Sequence, residues 1–148
     1  MEVKLPLDFK EFLNLLQVHE VEYLLIGAYA VGYHGYPRAT NDLDIWIAAT
    51  SLNAERVVEA LRDFGFDVPE LSPQLLLSPK RIIRIGEEPI RIEILNWASG
   101  VEFGQCYNKR IVDKLDGVEV NLIGMEDLKV NKTASGRLKD LADLENLP

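Results

Sequence analysis

The chain is 148 residues long, 47% hydrophobic and 27% charged, with one cysteine and a net charge of −8; that is the size and balance of one folded domain, 1–148, rather than a disordered chain. The lone Cys106 excludes an internal disulfide and a cysteine-based zinc site, and the acidic total excludes nucleic-acid binding by general phosphate attraction. No apolar run approaches the ~20 residues of a membrane span, and MEVKLPLDFKEF lacks a signal-peptide layout, so a cytoplasmic chain with no membrane partner is expected.

Along the chain, residues 8–20 (DFKEFLNLLQVHE) predict a helix, with Asp8 and Glu11 as a capping box and Phe9, Phe12, Leu13 and Leu16 as its apolar stripe. VEYLLIG is a buried strand ending at Gly27, AYAVGYHG a short helix, and YPRATN a loop leading into the strand DLDIWIA. SLNAERVVEALRDFG is a helix capped by Ser51 or Asn53 and stopped by Gly65. A proline-punctuated stretch, 69–79, precedes RIIRIG and IRIEIL, a strand pair turning at Gly86–Pro89. Asp116–Gly117 suits a type I′ hairpin turn between IVDKL and VEVNLI, and two helices broken near Gly136 close the chain. This order predicts an α/β (α+β) fold, a mixed β-sheet flanked by helices. Charge is uneven: −7 over residues 1–79, +2 over 80–114 and −3 over 115–148. Any RNA contact would therefore have to be local, through Arg81, Arg84, Arg91, Lys109, Arg110 and Lys114, unless these are scattered solvated charges.

Asp42 and Asp44 stand where a strand prefers β-branched or aromatic side chains. Two residues apart, ~6.5–7 Å along a strand, they share one face, while Leu43, Ile45 and Ile47 share the other. Two such carboxylates suit a hard divalent cation, and a pair of metals ~3.5–4 Å apart can clamp an in-line phosphoryl transfer. A third acid from a neighbouring strand would complete the set, and Glu93, between Ile92 and Ile94, is the natural choice unless Arg91 pairs with it. Gly27, in a strand–glycine–helix turn, would let backbone N–H groups approach a phosphate beside them.

The stretch IGAYAVGYHGYPRATNDLDIWI resembles the signature of the DNA polymerase beta-like nucleotidyltransferase superfamily. More narrowly, HGYPRATNDLD (34–44) and KTASGRLKDLADL (132–144) resemble motifs of small bacterial nucleotidyltransferases related to the AbiEii-type toxins. The resemblance spans most of residues 21–147. It implies a minimal nucleotidyltransferase fold with C-terminal helices, Mg²⁺ (or Mn²⁺) on Asp42, Asp44 and Glu93, and a triphosphate cradled by Gly27 and Ala28. It further implies that Lys132 and Arg137 contact phosphates or hold the C-terminal helices against the site. The implied reaction moves a nucleoside monophosphate from an NTP to a hydroxyl. The acceptor stays open among an RNA end (tRNA included), a protein side chain and a small molecule, and a partner protein of a toxin–antitoxin pair is a further implied possibility. Two positions depart from the superfamily pattern: Ala28 replaces the usual serine or glycine, and Glu93 the commoner aspartate. They keep alive an alternative, a non-catalytic nucleotidyltransferase-like binding domain of a two-component pair.

Arg38 could hold a phosphate bidentately, or simply be exposed on its loop, and Thr40 could orient Asp42. Trp46 shares the aspartates' face, beside a nucleobase or under a helix. His34 and Cys106 are expected to pack. Lys139 and Asp143, four residues apart, are expected as a surface pair, with Lys132 and Asp140 divided between site and surface.

Overall fold

The structure, a computed structural model, describes residues 4–86 and 89–148. Residues 1–3 of the N-terminal stretch and residues 87 and 88 of the Gly86–Pro89 turn lie outside the described residues. The elements run α1 (Leu7–Val18), β1 (Tyr23–Ile26), α2 (Gly27–Tyr33), β2 (Asp42–Ile47), α3 (Ser51–Phe64), α4 (Pro73–Leu77), β3 (Ile82–Ile85) and β4 (Arg91–Leu95), then α5 (Phe103–Asn108), β5 (Ile111–Leu115), β6 (Val118–Leu122), α6 (Met125–Ser135) and α7 (Leu138–Asn146). The strands form one mixed sheet in the order β3-β4-β2-β1-β6-β5. Pairs β1–β2, β3–β4 and β5–β6 are antiparallel, and β1–β6 and β2–β4 are parallel. The predicted α/β class with a mixed, helix-flanked sheet is what forms.

Alternation along the strands divides the core. Leu43, Ile45, Ile47, Ile92 and Ile94 pack with the stripe of α1 and with Val57, Val58 and Leu61 of α3. On the other face Leu24, Ile26 and Trp46 pack with Cys106 of α5, Leu128 of α6 and Leu147. Helix α2 serves both sides, Tyr29 in the first cluster and Ala30 and Val31 in the second. Among the described residues no helix is long and apolar enough to cross a membrane.

Several local expectations change. Helix α1 starts one residue early at Leu7, with Pro6 as N-cap and no side-chain cap, so Asp8 and Glu11 form no capping box. The first helical bond already runs from Lys10 N–H to the Pro6 carbonyl, which leaves Asp8 inside the first turn as a favourable charge on the helix dipole. Helix α3 is capped by Thr50, whose hydroxyl accepts from Asn53 N–H, rather than by Ser51 or Asn53. Buried Asn53 instead ties β1 to β2, accepting from Glu22 N–H at 2.7 Å and donating to the Glu22 and Ala48 carbonyls. Helix α5 was absent from the expected order; six residues are too short for a periodic stripe, and its cap is Glu102 rather than a Ser, Thr, Asp or Asn. The hairpin matches: Asp116 and Gly117 both carry the positive φ of a type I′ turn.

Candidate active site

The parallel register of β2 and β4 sets Asp42 beside Arg91 and Asp44 beside Glu93, and the β3–β4 register adds Arg84 next to Glu93. Adjacent strands lie ~4.8 Å apart, so three carboxylates and two guanidinium groups crowd one face of the sheet. Arg84 Nε donates to Glu93 Oε1 at 3.1 Å, and Arg91 Nε stands 3.5 Å from Asp42 Oδ1. Glu93 is thus paired by Arg84 from the next strand, while Arg91, the partner expected for it, faces Asp42. These two ion pairs draw their carboxylates aside. Among the described residues no group of three or more His, Cys, Asp or Glu stands ready to hold a metal ion.

Asp44 differs from both neighbours. It makes no hydrogen bond or ion pair to any described residue. Burial, reinforced by the charges of Glu93 and Asp42, pushes its carboxyl up to about 7, against the opposing pull of Lys132 and Lys139. Gly27 presses on it from above: a Cβ at this position would lie 2.0 Å from Asp44 Oδ2, and its φ of +71° already disfavours a side chain. Glycine here lets the strand-to-helix backbone sit directly on the carboxylate. Thr40 secures the other aspartate through the main chain, its hydroxyl accepting from Asp42 N–H at 3.2 Å and donating to the Asp42 carbonyl at 3.4 Å.

One wall of the cleft is a buried charge network. Arg38 grips Asp143 bidentately, with Nε to Oδ1 at 2.9 Å and Nη2 to Oδ2 at 3.0 Å. Lys132 Nζ lies 3.0 Å from Asp143 Oδ2 and 3.1 Å from Asp140 Oδ1, and Arg137 Nε donates to Asp140 Oδ2 at 2.8 Å. Lys132, Asp140 and Asp143 are all buried. Burial alone would raise both aspartates. The hydrogen bonds from Arg137 and Lys132 to Asp140, and from Arg38 and Lys132 to Asp143, outweigh it and hold both below the ordinary carboxylate range. The chain Arg38–Asp143–Lys132–Asp140–Arg137 therefore ties α6, α7 and the loop before β2 into one unit. The expected Lys139–Asp143 surface pair does not form, because Asp143 points inward to Lys132 and Arg38 while Lys139 stays exposed at the cleft. Arg38 is not a free loop arginine either.

The cleft encloses about 520 Å³ and is lined by Gly27, Asp42, Asp44, Glu93, Lys132 and Arg137 among others. Of the expected phosphate-side residues, Ala28, Arg38 and Thr40 line instead the cavity on the far side of the Gly27–Ala28 turn. Trp97 lines the cleft as well, and sequence reasoning passed over it. The available signal was its position, an aromatic residue two beyond the end of the strand that carries Glu93. Trp46 is not at the cleft: it packs edge-on against Phe103 of α5, with ring centroids 5.2 Å apart. His34 donates from Nε2 to the Ile123 carbonyl at 2.7 Å, a structural tie. Cys106 is buried, its thiol pushed up to about 11 by desolvation and by Asp127. The basic middle third does not form one patch: Arg84 and Arg91 sit on β3 and β4, while Lys114 lies on β5 at the opposite edge of the sheet.

The sequence matches, over residues 7–148, the family described as "Nucleotidyl transferase of unknown function (DUF2204)". No curated protein matches it. Among solved structures, the fold is similar to the lincosamide antibiotic adenylyltransferase LnuA in its lincomycin-bound form. That match has a TM-score of 0.63 at 16% identity and covers 98% of this chain and 97% of that one. It is also similar to TM1012 of Thermotoga maritima, itself provisionally classed as a nucleotidyltransferase, with a TM-score of 0.58 at 15% identity over 93% of this chain and 88% of that one. At these identities the two neighbours establish the fold, and the family match reaches across nearly the whole sequence: the chain belongs to the DUF2204 nucleotidyl transferases.

Proposed function

We propose that residues 1–148 act as a single nucleotidyltransferase domain that moves a nucleoside monophosphate from an NTP to a hydroxyl, with Mg²⁺ or Mn²⁺ as cofactor. The observation that carries this reading is Asp44, a largely buried carboxylate with no partner among the described residues, pressed between two other acids and under a glycine. Such a group is costly unless a cation meets it. Asp42 and Asp44 would hold that cation, and Glu93 would join once Arg84 yields it. When bound, the metal would neutralise charge on the α-phosphate and lower the pKa of the acceptor hydroxyl. The backbone of Gly27 would face the phosphates, and Trp97 would offer a stacking wall for the base. Lys132 and Arg137 supply positive potential at the departing pyrophosphate while they remain held by Asp140 and Asp143. Arg38 and Thr40 act one step back, through Asp143 and the Asp42 main chain.

In the reaction the acceptor oxygen bonds to the α-phosphorus, the bond to the bridging oxygen breaks, and the pyrophosphate departs as the hydroxyl proton is released. The test is label transfer from each α-labelled NTP, with Mg²⁺, into total RNA or total protein, compared with the Asp42→Ala/Asp44→Ala variant. Label that disappears with the variant supports the transferase; no label and no Mg²⁺–NTP binding refutes it. The Arg84–Glu93 ion pair favours a second reading, a non-catalytic binding domain of a two-component pair. Binding of a partner protein without NTP binding would support that one. A toxin–antitoxin role rests on the AbiEii-like motifs alone, and growth arrest on expression, relieved by Asp44→Ala, would support it.

A further inference from the structure

Among the described residues, five cations line the carboxylate cleft: Arg84, Arg91, Lys132, Arg137 and Lys139. The first four already have carboxylates. Arg84 holds Glu93, Arg91 faces Asp42, and Arg137 binds Asp140 through Nε and Nη2. Lys132 is buried and spends two of its three donors on Asp140 and Asp143. Lys139 makes no hydrogen bond or ion pair to any described residue.

The cause lies in the helix that carries it. Four residues on, where α7 would supply a partner, Asp143 is turned inward to Lys132 and Arg38; three residues on, Ala142 has no charge. The first turn of α7 is nonetheless pinned, because Asp140 is fully buried under Lys132 and Arg137 and accepts from the Arg137 N–H at 3.2 Å. Lys139 is thus an exposed, mobile ammonium on a fixed base at the cleft.

The cleft is also polarised. Arg38, Lys132 and Arg137 set three positive charges on two carboxylates, an excess to which Lys139 adds. The sheet side sets Asp42, Asp44 and Glu93 against Arg84 and Arg91, a negative excess. A nucleotide carrying a divalent cation has the same polarity, its cation suited to the sheet side and its phosphates to the α6–α7 side. The charge of Lys139 is felt at Asp44, where it draws the carboxyl down against burial, so the two act on one space.

We infer that Lys139 takes the outer phosphates of the nucleotide, and that this contact selects a triphosphate over a monophosphate. The assignment rests on the transferase reading. A flexible stem with three rotatable donors suits phosphates that must later leave as pyrophosphate, whereas Lys132 is held in place by two aspartates.

The test is calorimetry in Mg²⁺ with ATP, CTP, GTP and UTP, then with the di- and monophosphate of whichever binds most tightly. Wild type, Lys139→Ala, Lys139→Arg and Lys114→Ala are compared, the last removing the same charge from β5 at the opposite edge of the sheet. Lys139 is exposed and unpaired among the described residues, so Lys139→Ala should match wild type in urea unfolding. It should lose about tenfold in triphosphate affinity and less than about twofold in monophosphate affinity, as expected for one charge-assisted contact to the outer phosphates. Lys139→Arg should stay within about threefold of wild type, and Lys114→Ala should be unchanged. Full triphosphate affinity in Lys139→Ala, an equal loss for the monophosphate, or the same loss in Lys114→Ala would each overturn the assignment. Absence of NTP binding by wild type would overturn the transferase reading itself, and this assignment with it.

Discussion

Replacing Asp44 with asparagine should make the metal-free protein more stable, by an amount that grows with pH. The carboxyl is raised from 3.8 to about 7, first by burial and then by Glu93 and Asp42. An acid whose pKa is higher in the folded chain holds its proton better there. Its contribution is therefore intact below pH ~4, falls as pH rises, and is fully lost above ~7. Three pH units at 1.36 kcal/mol each give roughly 4 kcal/mol in total, of which roughly 3 kcal/mol falls between pH 4.5 and 8. Asp140 and Asp143 have the opposite sign. Both are lowered, so their stabilisation is present above the ordinary carboxylate range and is lost only as pH falls through their depressed values. The assay is urea unfolding of wild type and Asp44→Asn in chelator, every half unit from pH 4.5 to 8. The stability difference between the two proteins should widen by roughly 3 kcal/mol across that range, since common contributions cancel. Millimolar Mg²⁺ at pH 8 should then stabilise wild type and leave Asp44→Asn unmoved. A difference that stays flat with pH would refute the claim that Asp44 is under charge strain.

Three further outcomes follow from particular contacts. Gly27→Ala must adopt a positive φ and displace the Asp44 carboxylate, so it should lower stability by ~1–3 kcal/mol in thermal melts and abolish Mg²⁺–NTP binding in calorimetry. Asp143→Ala removes the partner of two cations, one of them buried, and should cost ~3–5 kcal/mol in urea unfolding; Lys132→Met should cost less, because Arg38 and Arg137 still pair the two aspartates. Asn53→Ala strands the Glu22 amide and the Glu22 and Ala48 carbonyls, a loss of ~2–4 kcal/mol that should appear in the same assay with no effect on NTP affinity.

The sequence was most informative where two constraints agreed. An aspartate pair alternating with Leu43, Ile45 and Ile47 has one way to lie on a half-buried strand, and β2 lies that way. Asp116–Gly117 likewise leaves little choice of turn. The candidate site was legible in part: Gly27, Asp42, Asp44 and Glu93 come together as the spacing implied. What spacing could not supply was partnership. An i,i+4 rule joins Lys139 to Asp143 on an isolated helix, but α7 packs that aspartate inward, where desolvation demands stronger partners than a solvated lysine. Glu93 followed the same logic, since its partner came from β3 and not from its own strand. Trp97 carried no periodic or motif signal beyond its position two residues past β4, and the folded cleft shows its place.

The parallel seam between β2 and β4 is also the join between the two halves of the sheet, with β3 beyond it on one side and β1, β6 and β5 on the other. The residues that cluster charge are partners across this seam, Asp42 with Arg91 and Asp44 with Glu93. On the proposed function, a cation held by these carboxylates would also brace the sheet. Without a divalent cation at alkaline pH, the amides of β3 and β4 should exchange ahead of those of β1, and a cation held by Asp44 would act as a rivet through the middle of the fold.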